Sequence, residues 1–177
     1  YEYYASDITR TFPASGKFSD EQKAIYEIVL KAQEAAIEEI KPGALWDATH
    51  NASVKVITQG LIKLGLLQGK LSQLIKTEAY KAFYMHRVGH WIGMDVHDVG
   101  DYKIDGTWRV LEAGMVTTIE PGIYIAPDNT DVPEQWRGIG VRIEDDVLVT
   151  KSGYRILSTG VPKTVSEIEA FMSEMTH

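Results

Sequence analysis

The 177-residue chain contains no cysteine, which excludes a disulfide framework, a thiolate metal site and a cysteine nucleophile. It has no apolar run near the roughly 18 residues that a membrane-spanning helix needs, so the membrane is excluded as a partner. Positive charge is also short. Lys and Arg number 18 against 25 Asp and Glu, and the formal net charge of −7 argues against a phosphate-binding surface and thus against nucleic acid. A Gly-rich phosphate loop, a GxSxG nucleophile elbow and a nucleotide fingerprint are all missing. What chemistry remains must come from oxygen and imidazole. The chain opens on Tyr1 rather than methionine, from which a processed, cut or partial chain is expected.

What is present has the balance of a soluble globular protein, with 44% hydrophobic and 24% charged residues. The length suits one domain, and no internal repeat or Ser/Gly-rich linker divides it, so one α+β domain over 1–177 is expected. The charge is uneven. Residues 1–85 carry 10 acidic and 10 basic side chains, whereas 86–177 carry 15 and 8, which puts the whole acidic excess in the second half. An acidic solvated face accounts for such an excess more simply than a cation site does, on charge alone.

The opening YEYYASDITRTF reads as a strand ended by Pro13. Ser19 and Gln22 form a capping box, and Ile25, Ile28, Val29, Ala32, Ala36 and Ile40 recur at helical steps, which predicts a helix over 19–41 that stops at Pro42-Gly43. A second helix is predicted from about Asp47 to Gly65, with Val54, Ile57, Leu61 and Leu64 on its buried stripe, and a shorter one over 71–81. Strands are predicted over 116–120, 122–125, 141–150 and 154–158, and a last helix runs over 165–175.

The segment MHRVGHWIGMDVHDVG at 85–100 holds His86, His90 and His97. One histidine alone is more often structural; three within a dozen residues reverse that balance. His86 and His90 are spaced as in an HExxH zinc helix, but Arg87 stands where the glutamate belongs, and Gly89 and Gly93 disfavour a helix, so a strand or bent loop is expected. Glu120 closes an apolar strand before Pro121-Gly122. Arg142 and Glu144 alternate with Val141 and Ile143, so they share a strand face, and burial there would require that their charges meet each other or a metal. Asp7 is an acid inside a strand-like stretch. Carboxylates with one imidazole suit manganese, iron(II), cobalt or magnesium better than a structural zinc. Bridging carboxylates can hold two such ions roughly 3.5–4 Å apart, and amide hydrolysis is the natural chemistry.

SDITRTF, HRVGHWIGMDVHDVG, LEAGMVTTIEPGIYI and RGIGVRIEDDVLVT, in this order, resemble the catalytic domain of the Xaa-Pro aminopeptidases (aminopeptidase P), pita-bread metallopeptidases akin to prolidase and methionine aminopeptidase. The resemblance implies a pita-bread fold, a curved and mostly antiparallel sheet with flanking helices, N-terminally truncated here, and two Mn(2+) ions that serve to release an N-terminal residue preceding proline. It implies Asp7 and Glu144 as bridging ligands and His90 and Glu120 as ligands, with Glu120 also moving the proton. His86 and His97 would bind substrate, and Arg142 and Tyr124 would orient the ligands. A further aspartate of the family pattern would precede Tyr1, so one well-formed metal site and a poorly active isolated chain are expected, with apolar surface left uncovered. The resemblance further implies peptide substrates, a homo-oligomeric parent and a cytoplasmic location. Prolidase, a noncatalytic pita-bread module and a metal-free relative acting on creatine are the alternatives.

Overall fold

A computed structural model describes residues 2–174. Helix α1 spans Asp20–Glu38, and its start is the expected capping box: the Ser19 hydroxyl accepts from Gln22 N at 3.2 Å, and Ser19 N donates to Gln22 Oε1 at 3.0 Å. It ends at Glu38, before the turn in which Gly43 takes φ +88°. Helix α2, Trp46–Lys63, packs along α1 at the closest approach glycine allows. A Cβ on Gly60 would lie 2.6 Å from Ile28 Cγ2, so a side chain there would have to displace Ile28 from the seam. Ile25, Val29, Val54, Ile57 and Leu61 are buried in that seam and form one core.

The predicted helix over 71–81 is shorter. Helix α3 covers Leu71–Lys76, and a 3₁₀ turn covers Ala79–Ala82. Between them Glu78 adopts φ 54°, a left-handed conformation that no continuous helix can carry. Helix α4 runs Val165–Glu174, with Ile168 buried and Phe171 exposed; the expected end at Met175 lies outside the described residues.

The strands are β1 Lys103–Ile104, β2 Thr107–Trp108, β3 Val116–Ile119, β4 Gly122–Tyr124, β5 Gly140–Arg142, β6 Asp145–Thr150 and β7 Gly153–Ile156. All pairings are antiparallel: β1 with β2, β4 with β5, and β3–β6–β7 in that order. The predicted strand 141–150 is in fact two. The chain leaves one sheet at Ile143 and enters the other at Asp145. Glu120 and Pro121 break the facing chain at the same level, where Ile143 N reaches Pro121 O at 3.4 Å. Val88, Trp91, Leu111, Ile119, Val147 and Val149 form a second core cluster behind β3 and β6.

The predicted N-terminal strand does not form. Residues 4–12 run extended with one isolated bridge, Thr9 to Glu144. Beyond that bridge the Thr11 hydroxyl occupies the positions a ladder would use. It accepts from Arg142 N at 3.1 Å and donates to Arg142 O at 2.9 Å, so side chain replaces backbone.

Candidate metal centre

The two strand breaks place Glu120 and Glu144 opposite each other at the seam between the sheets, and the extended segment brings Asp7 to the same point. The segment 85–100 contributes the imidazoles. It contains no helix, as its glycines predict, and is stitched to β3 by Thr118 N to His90 O at 3.0 Å and Glu120 N to Val88 O at 2.6 Å. Together these residues line a cleft of about 410 Å³ whose walls are Asp7, His86, Arg87, Gly89, His90, His97, Glu120, Arg142 and Glu144. Of the eight residues singled out in the sequence, only Tyr124 is not on that wall. It touches it through a 2.8 Å hydrogen bond to His86 Nε2.

His90 Nδ1 lies 2.9 Å from the Trp91 carbonyl, so that nitrogen carries the proton and Nε2 presents its lone pair. That lone pair lies 3.5 Å from Asp7 Oδ2 and 3.6 Å from Glu120 Oε1. Donor atoms of His90, Glu120 and Glu144 lie within 4.8 Å of one another, as do those of Asp7, His90 and His97. His97 is exposed, and its ring stands edge-on to His90 at 4.4 Å.

The carboxylates are poorly compensated by protein groups. Glu144 is 2% exposed; its Oε2 accepts from the Thr9 hydroxyl at 2.6 Å, and among the described residues its buried Oε1 has no hydrogen-bond partner. Burial pushes its pKa up to about 7, with further upward pressure from Glu120 and Asp7. Burial also raises Glu120 to about 7, against the pull of Arg142, whose Nε lies 4.0 Å from Glu120 Oε2. A buried oxygen without a donor beside carboxylates that resist ionisation is the signature of a set whose missing partner is a cation. The residues therefore fit a divalent metal.

His86 is fixed at both nitrogens, Nδ1 on Arg87 O at 2.7 Å and Nε2 on the Tyr124 hydroxyl. Burial lowers its pKa, so the ring is neutral: Nδ1–H donates to the carbonyl and Nε2 accepts from Tyr124. Two threonines were missed in the sequence. Thr9 orients Glu144, and Thr118 accepts from His90 N at 3.1 Å. The signal for Thr9 was its place two residues after Asp7, on the same face of an extended chain.

This histidine and carboxylate geometry accompanies a match of residues 1–151 to the model of metallopeptidase family M24. The chain belongs to that family. Among M24 relatives it is 54% identical over 173 residues to the Xaa-Pro aminopeptidase of Haemophilus influenzae and 49% identical over 172 to that of Escherichia coli K12. These alignments cover 98% and 97% of this chain but 40% and 38% of the relatives, so the chain spans about 40% of their length. The fold matches aminopeptidase PepP from Pseudomonas aeruginosa with a TM-score of 0.98 and 65% identity, over 99% of this chain and 40% of that one. Proline aminopeptidase P II from Yersinia pestis matches at 0.94 with 49% identity, over 98% of this chain and 40% of that one. The fold is the pita-bread fold of the M24 aminopeptidase P structures.

Proposed function

We propose that the cleft is the active site of a manganese-dependent Xaa-Pro aminopeptidase and that residues 1–177 are its catalytic peptidase domain. His90 Nε2, Glu120 and Glu144, with Asp7, would hold the metal. Bound there, a divalent ion supplies Lewis-acid chemistry, polarising a carbonyl and acidifying water. The observation that carries this reading is the convergence of the His90 lone pair with three carboxylates, one of which keeps a buried oxygen unpartnered.

The protein's own part follows from the side chains. Glu120, on the cleft wall beside His90, is placed to take a proton from the attacking water and return it to the leaving amine. His86 and His97 stand on the cleft wall to bind the peptide and steady the charge that develops on its carbonyl oxygen. The Arg142 charge acts on Tyr124, whose hydroxyl donates to His86, so a positive charge is coupled to the substrate-facing imidazole through one hydroxyl. Arg142 and Tyr124 are orienting groups in this scheme.

Proline in the second position is supported by the names of these relatives, and a homo-oligomeric parent and a cytoplasmic setting belong to the same proposal through the resemblance to aminopeptidase P alone; among the described residues no helix is long and apolar enough to cross a membrane. The test is release of the first residue from Xaa-Pro-Xaa tripeptides by the intact protein, with and without a chelator. Metal-dependent turnover of tripeptides is expected. Turnover confined to Xaa-Pro dipeptides would assign prolidase chemistry instead, and metal-independent turnover would refute the centre.

A further inference from the structure

Arg10 lies three residues beyond Asp7 and touches none of the side chains given a chemical role above. It is nevertheless fully committed. Nε–H donates to Pro162 O at 3.0 Å. Nη1 donates to Thr9 O at 3.0 Å and to Glu144 O at 2.7 Å, and Nη2 donates to Asp145 Oδ1 at 2.7 Å and to Val161 O at 3.5 Å. All five N–H groups of the fork are used. Only one of the acceptors is a charge. The others are backbone carbonyls, two of them in the residues that carry the Thr9–Glu144 bridge.

Asp145 is held as firmly. Its side chain is 1% exposed, Oδ1 also accepts from Ser158 Oγ at 2.7 Å, and Oδ2 accepts from Gln33 Nε2 at 3.0 Å and Lys163 Nζ at 2.8 Å. Consecutive residues of an extended chain point to opposite sides, so the acids divide their work. Glu144 faces the cleft and Asp145 faces Arg10. Asp146 Oδ2 accepts from Asp7 N at 3.1 Å, which pins the backbone of the first ligand to the strand that follows the second.

We infer that Arg10 is a positioning residue for the metal-binding pair: anchored on Asp145, it grips the Thr9 and Glu144 carbonyls and so fixes Asp7 and Glu144 at one separation. This rests on the reading of that pair as metal ligands. A lysine at position 10 keeps the charge and can still pair with Asp145, but three donors on one nitrogen cannot span carbonyls on two segments. The role therefore separates from ion pairing.

The experiment is calorimetric titration of the intact protein with Mn(2+), with melting curves, for Arg10→Lys, Lys163→Met and Asp145→Asn. Arg10→Lys is expected to weaken manganese binding about 10–100-fold, the usual cost of losing a group that orients metal ligands. Lys163→Met removes a cation from Asp145 but leaves both carbonyl grips, so the melting temperature falls while affinity stays within about threefold of the parent, below that range. Parent-like affinity in Arg10→Lys overturns the inference, and so does an equal loss in Lys163→Met. Should Arg10→Lys not fold, Asp145→Asn decides, since it removes the charge on which Arg10 is anchored: binding weakened beyond that of Lys163→Met supports the role, and binding like that of Lys163→Met overturns it. A parent that binds no manganese sinks the metal reading itself; a parent that binds, with every variant alike, sinks only the positioning role.

Discussion

Substituting Gly89 by alanine tests the site through its backbone. A Cβ at this position would overlap the Thr118 carbonyl oxygen and lie 2.8 Å from the Thr118 carbonyl carbon, and neither atom can rotate away. Ordinary C···O contacts begin near about 3.3 Å, so the two backbones must part by more than about 1 Å. Gly89 is bracketed by the bonds Glu120 N–Val88 O and Thr118 N–His90 O, and that displacement breaks both. Two hydrogen bonds at about 1 kcal/mol each, plus overpacking of about 1–3 kcal/mol, give a destabilisation of about 3–5 kcal/mol. In a chain of this size that corresponds to a drop in melting temperature of about 6–20 °C. The same movement carries His90 away from Glu120, so manganese affinity falls with stability. Gly43→Ala is the control. It imposes left-handed strain, at φ +88°, which Gly89→Ala does not, but a Cβ there meets nothing within 4 Å and the site lies elsewhere. It costs about 1–2 kcal/mol with no change in metal affinity. Circular dichroism melts and manganese titration of both variants decide the matter, and a Gly89→Ala protein that melts and binds like the parent refutes the reasoning.

Other measurements probe neighbouring links. In metal-free protein Glu120 and Glu144 are raised from 4.5 to about 7, so their contribution to stability is fully present below about 4.5 and is lost as pH rises through about 7; the gap in melting temperature between manganese-loaded and chelator-treated protein should widen from about pH 6 to 8, and a constant gap counts against the shifts. His50 is pushed down to about 3, first by burial and then by Arg87, His86 and Lys81; being depressed below 6.5, it contributes stability that is present above about 6.5 and is lost as pH falls toward 3. His50→Phe should remove that part of the acid limb, and identical acid profiles for variant and parent would contradict it. Ile57→Ala empties a fully buried position between α1 and α2 and should cost about 2–5 kcal/mol in denaturant melts while leaving metal affinity unchanged.

The parts of this fold that could be read from the sequence were those decided by neighbours along the chain. Helix α1 was legible because Ser19, Gln22 and the apolar stripe act within a few residues of each other. The interruption of the run 141–150 was not, since nothing in GVRIEDDVLVT marks a break at Glu144. It comes from Thr9 and Arg10, which hold the Glu144 backbone from far away in sequence. The N-terminal strand failed for a similar reason, with the Thr11 hydroxyl taking bonds that a pattern of alternating residues assigns to the backbone. At the site, the chemistry of carboxylates and imidazoles was readable residue by residue, but their meeting was not. Spacing along the chain says nothing of Asp7 against Glu144, and it was the family resemblance that joined them.

The contacts of Arg10 with Glu144, Asp145 and Pro162 close loops of 134, 135 and 152 residues. Loop-closure entropy grows only as the logarithm of length, so such ties cost little more at equilibrium than shorter ones, but they make folding slow. The cleft is thus assembled late, after the α1–α2 pair and the hairpins have their local contacts. A cation that requires Asp7, His90 and Glu144 together finds no partial version of its site on the way. It leaves the rate of folding untouched and acts on the rate of escape, so that metal content sets the lifetime of the native state.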